Sequence, residues 1–190
     1  MTRMTLLLGK NSSGKSLYGE HLMSFCAPPR IYLATMKSVN EENEERILRH
    51  RRQRAHLHCR TIECPFLRPR ADWPKEACVL LEDASNLVAN HLFAGEERDF
   101  PDQDMLTRSL VTQILRLRET CRELFVVSIS GLPSTAYEGE TAAYIRYLNA
   151  LNHALAQVSD RVVQMVHGYP FYKKGAYFAV KSALHRPKHL

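Results

Sequence analysis

The sequence predicts an α/β fold, a phosphate-loop domain with a mainly parallel sheet covered by helices on both faces. Three observations predict it. Short apolar runs alternate with segments of helical periodicity along most of the chain. A glycine-serine loop ending in Gly14-Lys15-Ser16 separates the first apolar run from the first helical segment. With 190 residues, 45% of them hydrophobic, the chain has room for one domain with a real core and is short for two, so residues 1–190 are expected to form a single unit.

Taken in order, residues 5–8 are an apolar run that ends at Gly9, and residues 15–26 have helical character, so the chain opens as strand, loop and helix. Residues 30–35 read as a second buried strand. Asn40 and the acidic residues behind it open a further helix, because a capping side chain and negative charge both suit a helix N-terminus. That helix turns strongly basic along its length. Apolar runs at 78–81, 124–129 and 161–166 then alternate with helical patterns at 84–93, 104–124 and 140–157. Leu106, Leu110, Ile114 and Leu117 recur at helical spacing, which marks a core-facing stripe. Residues 98–104 read as a surface loop, and Tyr144, Tyr147 and Tyr169 as packing groups.

Composition excludes several classes. No run of 18 apolar residues occurs, and the first residues lack a secretory layout, so no integral membrane segment and a cytoplasmic location are expected. Five cysteines in no regular framework point to reduced thiols. His56, His58, Cys59 and Cys64 form H-x-H-C-x4-C, which lacks the paired short spacings of structural zinc sites and reads as ordinary strand and loop. The net charge of +6 is concentrated in 46–60 and 173–188, where it would attract phosphate, either of a nucleotide or of a nucleic acid.

Gly9, Lys10, Asn11, Ser12, Ser13, Gly14, Lys15 and Ser16 match G-x-x-x-x-G-K-[ST] in full and in the right context, after a strand and before a helix. The glycines let backbone N–H groups wrap a phosphate, Lys15 reaches the outer phosphates, and the Ser16 hydroxyl is suited to Mg. Nucleotide binding follows; the reaction does not, since this loop serves many chemistries. A carboxylate at the end of another strand is also needed beside the ion. The run 79–81 followed by Glu82 and Asp83 provides it, with Glu82 favoured as the metal-side group and Asp83 as the alternative.

Residues 45–54, ERILRHRRQR, set His50 among five arginines. On a helix Arg46, His50 and Arg54 share a face, and so many like charges repel unless an anion sits among them. Cationic neighbours favour the neutral imidazole, which is the form that attacks phosphorus. From these residues alone three readings stay open: a solvated helix face, a nucleic-acid stripe, and the cradle of a reactive histidine.

Together, GKNSSGKS, YLATM at 32–36, the run 45–64 and VLLEDASNLVANHLF at 79–93 resemble the bifunctional adenosylcobinamide kinase/adenosylcobinamide-phosphate guanylyltransferase family of cobalamin biosynthesis. The resemblance implies a RecA-like phosphate-loop sheet, a homotrimer, and two reactions: phosphorylation of adenosylcobinamide by ATP or GTP, then transfer of GMP from GTP through a guanylyl-histidine. The family's R-I-x-x-H motif falls on 46–50, so His50 is the implied nucleophile, catalytic together with Lys15. Ala34, Thr35 and Met36 would border nucleotide, Arg51, Arg52, Gln53 and Arg54 would hold GTP, and Glu63 and Glu82 correspond to acidic strand ends. Nucleic acid is then no partner. The chain departs from the family after the strand near Val126, where Ser128-Ile129-Ser130-Gly131-Leu132-Pro133-Ser134 replaces an Asn-Glu-Val-Gly type segment. A small-molecule kinase without guanylyl transfer, and a nucleotide-dependent nucleic-acid-binding protein, are the alternatives.

Overall fold

A computed structural model describes residues 3–37, 57–67, 76–95 and 100–175. The helix expected to open at Asn40, and with it His50, Arg46, Arg49, Arg51, Arg52, Gln53, Arg54 and His56, lies outside the described residues. Part of the expected surface loop at 98–104 does too.

Seven strands form one sheet: β1 (Arg3–Gly9), β2 (Arg30–Ala34), β3 (Arg60–Glu63), β4 (Cys78–Glu82), β5 (Glu123–Ile129), β6 (Arg161–Val166) and β7 (Tyr169–Lys174). Their spatial order is β3-β2-β4-β5-β1-β6-β7. All neighbours are parallel except β6 and β7. The phosphate-loop strand β1 sits between β5 and β6, and β5 separates it from the acid-bearing β4. The described helices are α1 (Lys15–Ser24), α2 (Ala84–Leu92), α3 (Gln103–Thr120) and α4 (Gly139–Val158).

Alternation along the strands sends side chains to two cores. On one face, Leu7, Leu80, Phe125, Val127 and Val163 pack against Leu22 and Met23 of α1. Gly19 lets this helix approach closely, since a Cβ there would stand 2.9 Å from Leu80 Cδ1 and 3.1 Å from Leu7 Cδ1. On the other face Leu6, Leu33, Leu81 and Val126 meet α2, α3 and α4, whose stripe of Leu106, Leu110, Ile114 and Leu117 is buried as its spacing predicts.

Two expectations need correction. The long helix stops at Thr120 instead of running to 124, and Cys121 is already extended at φ −121, ψ 162. Leu117, Cys121 and Leu124 continue the helical period, so the pattern carried no stop; Leu124 is claimed instead by β5, in register with Met4 and Val79. The second is the antiparallel strand β7, absent from the sequence-based reading. It returns from β6 through His167 and Gly168, both at positive φ (49 and 83), the backbone of a tight hairpin.

Candidate functional site

Gly9 ends β1 and α1 starts at Lys15, so the motif forms the connection between them at the C-terminal edge of the sheet. The loop closes on itself through Ser13 N–H donating to Lys10 O at 3.2 Å, with Ser12 at φ 58. Gly14 stands at the N-cap of α1 with φ 87 and ψ 6, and no side chain caps the helix, which leaves its first N–H groups directed at the loop's concave side. A Cβ on Gly9 would collide with Ser13 Oγ, and one on Gly14 would stand 3.3 Å from Gly168 Cα. Neighbouring strands brace the loop: Gly168 N–H donates to Ser13 O and Ser130 N–H to Gly9 O, both at 3.0 Å. Lys15 is 7% exposed and its Nζ donates to Lys10 O at 3.4 Å. Asn11 is exposed, and Ser13 Oγ is buried without a partner among the described residues.

From α1 the Ser16 hydroxyl donates to Glu82 Oε1 at 2.6 Å, bridging the phosphate loop to the end of β4. Glu82 Oε2 is enclosed and has no partner among the described residues. Burial, and then the neighbouring Asp83 charge, push the Glu82 carboxyl up to about 8, against the opposing pull of Ser16 and Lys15. Asp83 is spent differently. Its carboxylate caps α2, accepting from Asn86 N–H at 2.8 Å and Ser85 Oγ at 2.5 Å. Burial also holds its carboxyl above the usual range. A hydroxyl and a carboxylate with an orphaned oxygen are hard donors of the kind Mg takes. Among the described residues no group of three or more His, Cys, Asp or Glu is placed to hold a metal.

Thr35, next after β2, is fully buried. Its hydroxyl donates to Asp83 O at 2.8 Å and accepts from Asp83 N–H at 2.7 Å, while its N–H donates to Glu82 O at 2.9 Å. The hydroxyl is thus committed to the acidic strand end. Ala34 and Met36 beside it are half-buried. Glu63 does end a strand, opposite Ala34, and is exposed. Four strand positions separate β3 from β1. At about 4.8 Å per strand this puts Glu63 roughly 19 Å across the sheet from the phosphate loop. The structure therefore brings Lys15, Ser16 and Glu82 together, sets Ala34 and Thr35 beside Glu82 on the neighbouring strand, and leaves Glu63 farther along the same edge.

The departing loop after β5 lies directly on the phosphate loop: a Cβ on Gly131 would stand 3.4 Å from Lys10 Cε. Asn152 of α4 anchors it by donating to Ile129 O at 2.8 Å. Tyr147 is a packing group whose hydroxyl donates to Pro101 O at 2.5 Å, and Tyr169 is exposed. Tyr144 packs against the core as expected, and burial, with the Asp83 charge nearby, pushes its hydroxyl up to about 12. All five cysteines are free thiols, and Cys64 donates its S–H to Phe66 O at 3.1 Å.

A family model described as cobinamide kinase / cobinamide phosphate guanyltransferase matches residues 5–172. No curated protein matches the chain. Among solved structures the chain is similar to the flagellar accessory protein FlaH from Methanocaldococcus jannaschii, at 14% identity and a TM-score of 0.44, over 92% of this chain and 81% of that one. It is also similar to a prototypical ATPase from the type III secretion system of pathogenic bacteria, at 11% identity and a TM-score of 0.49, over 85% of this chain and 50% of that one. The chain spans half the length of that ATPase. Likenesses this distant say nothing about activity.

Proposed function

Since the chain belongs to the cobinamide kinase / cobinamide phosphate guanyltransferase family of cobalamin biosynthesis, we propose that it phosphorylates adenosylcobinamide with ATP or GTP and then transfers GMP from GTP through His50. The observation that carries the nucleotide half is the contact of Ser16 with Glu82 beside the complete loop, with one Glu82 oxygen lacking a partner among the described residues and the buried Lys15 at the start of α1, which no side chain among the described residues caps. In the kinase step the corrinoid's side-chain hydroxyl oxygen attacks the terminal phosphorus, the bond to the nucleoside diphosphate breaks, and the hydroxyl proton is released. Lys15 and the N–H groups of α1 meet the charge that builds on the phosphoryl oxygens. Ser16 and Glu82 would hold magnesium, which neutralises triphosphate charge when bound.

In the second step a ring nitrogen of His50 attacks the α-phosphorus of GTP and pyrophosphate leaves. The corrinoid phosphate then attacks the same phosphorus, the P–N bond breaks, and adenosylcobinamide-GDP forms. Arg51, Arg52, Gln53 and Arg54 hold the guanine nucleotide in this reading, and Ala34, Thr35, Met36 and Glu63 form the strand-end border of the same region. The reading is supported by the family match and by the order in which these motifs stand in the chain. It includes one domain over residues 1–190 and a cytoplasmic location, expected from length and composition, and a homotrimer, which the family resemblance implies.

Loss of the second activity is a specific second reading. It is raised by the departure from the family pattern at Ser128-Ile129-Ser130-Gly131-Leu132-Pro133-Ser134. One assay separates the two: purified protein in dim light with adenosylcobinamide, Mg²⁺ and GTP, with corrinoid products resolved by mass. The proposal expects a phosphate adduct that converts to the GDP adduct. A phosphate adduct alone supports the kinase-only reading, and unmodified corrinoid overturns both.

A further inference from the structure

The part of the chain that contains His50 leaves the sheet after β2 and returns through β3. Thr35 is the first residue past β2, and Pro65 is the second past β3. The ladder between the two strands ends with Cys64 N–H donating to Ala34 O at 2.8 Å. Beyond it, the Thr35 and Pro65 carbonyls are both taken by one side chain. Asn90 Nδ2, in the last turn of α2, donates to Thr35 O at 2.8 Å and to Pro65 O at 2.7 Å. Both partners are pure acceptors, so the amide has only one orientation that satisfies them, and both of its hydrogens are used.

His91 adds a second brace from the same helix end. Its ring meets the Phe66 ring edge-on with centroids 5.0 Å apart, and Lys37 Nζ stands 5.9 Å from the centroid of that phenyl ring. The network also runs back to the acid. Thr35 is bonded to the backbone of Glu82 and Asp83, and Asp83 caps the start of the helix whose end carries Asn90. One short helix therefore ties both chain ends of the 36–64 excursion to the strand end that bears Glu82.

We propose that Asn90 is a positioning residue for guanylyl transfer: its amide holds the two chain ends flanking the His50 segment in fixed relation to the acidic end of β4. Asn90 acts through Thr35 and Pro65. The role rests on the reading of His50 as the guanylylated residue, while the kinase step, built on the phosphate loop, does not require this tether.

Asn90→Asp keeps the shape and removes both donors; Asn90→Ala removes them without adding a charge and guards against misfolding of the first variant. Three readouts are compared with wild type: incorporation of α-phosphate label from GTP, ATP-dependent phosphorylation of adenosylcobinamide, and hydrogen–deuterium exchange of peptides covering 30–37 and 60–67. Label incorporation is expected to fall by about 10²-fold, the cost typical of a reacting group displaced by an ångström, with phosphorylation near the wild-type rate. Exchange should rise in the two peptides and not in α1. A parallel fall of both activities, or no fall in labelling, overturns the proposal. If wild type takes no label, the His50 reading fails and this role with it, and exchange alone then reports whether the brace exists.

Discussion

Glu82 and Asp83 are adjacent carboxylates with different employment. Asp83 spends Oδ1 on the cap of α2, and Glu82 keeps one oxygen enclosed and, among the described residues, unpaired. The Glu82 carboxyl, raised to about 8, binds its proton more tightly folded than unfolded. Its contribution is therefore present at low pH and is lost as pH rises from the ordinary carboxylate range through about 8. The thermal midpoint of the nucleotide-free protein should fall over that window, and Glu82→Gln should flatten the dependence, as scanning calorimetry across pH would read. Lys15→Met should slow phosphoryl transfer by about 10²- to 10³-fold, the range for removing one preorganised charge-stabilising donor, with the fold retained by circular dichroism. Lys15, Ser16 and Glu82 were legible in the sequence because a fixed motif spacing and a strand-end pattern carry them. Thr35 and Asn90 were not legible as cross-links, because their partners stand 48 and 55 positions away and no local pattern announces them.

At the scale of elements, α1 couples packing to the site. Its N-terminus carries Lys15 and Ser16, and Gly19, one turn on, sets its distance from the sheet. Gly19→Val should destabilise by about 1–3 kcal/mol through overpacking against Leu7 and Leu80, read by denaturant unfolding. By lifting the helix it should also weaken nucleotide binding, whereas a stability loss with unchanged nucleotide affinity would separate packing from site. Most element types could be read from periodicity. The limits came where two patterns overlapped. Leu124 fits both the helical period of α3 and the apolar run of β5, and only strand pairing decides between them. β7 was hidden because Pro170, Lys173 and Lys174 dilute its strand pattern, residues that an edge strand tolerates and a central one does not.

For the whole molecule, the parallel sheet gathers every described site residue at the C-terminal edge of the strands. The fold class was legible in the alternation of strands and helices. The strand order was not, because placing β1 between β5 and β6 is a matter of pairings more than 100 residues apart in sequence. That order sets β2 directly beside β4, with Ala34 opposite Glu82 and Thr35 bonded to Asp83, while Asn90 joins Thr35 to Pro65 past the end of β3. The direct test is incubation of the purified protein with Mg²⁺ and GTP carrying a labelled α-phosphate, followed by denaturation and mapping of the label. The account predicts an acid-labile, base-stable label on His50 that disappears in His50→Ala; an unlabelled protein, or label that persists in His50→Ala, would contradict it.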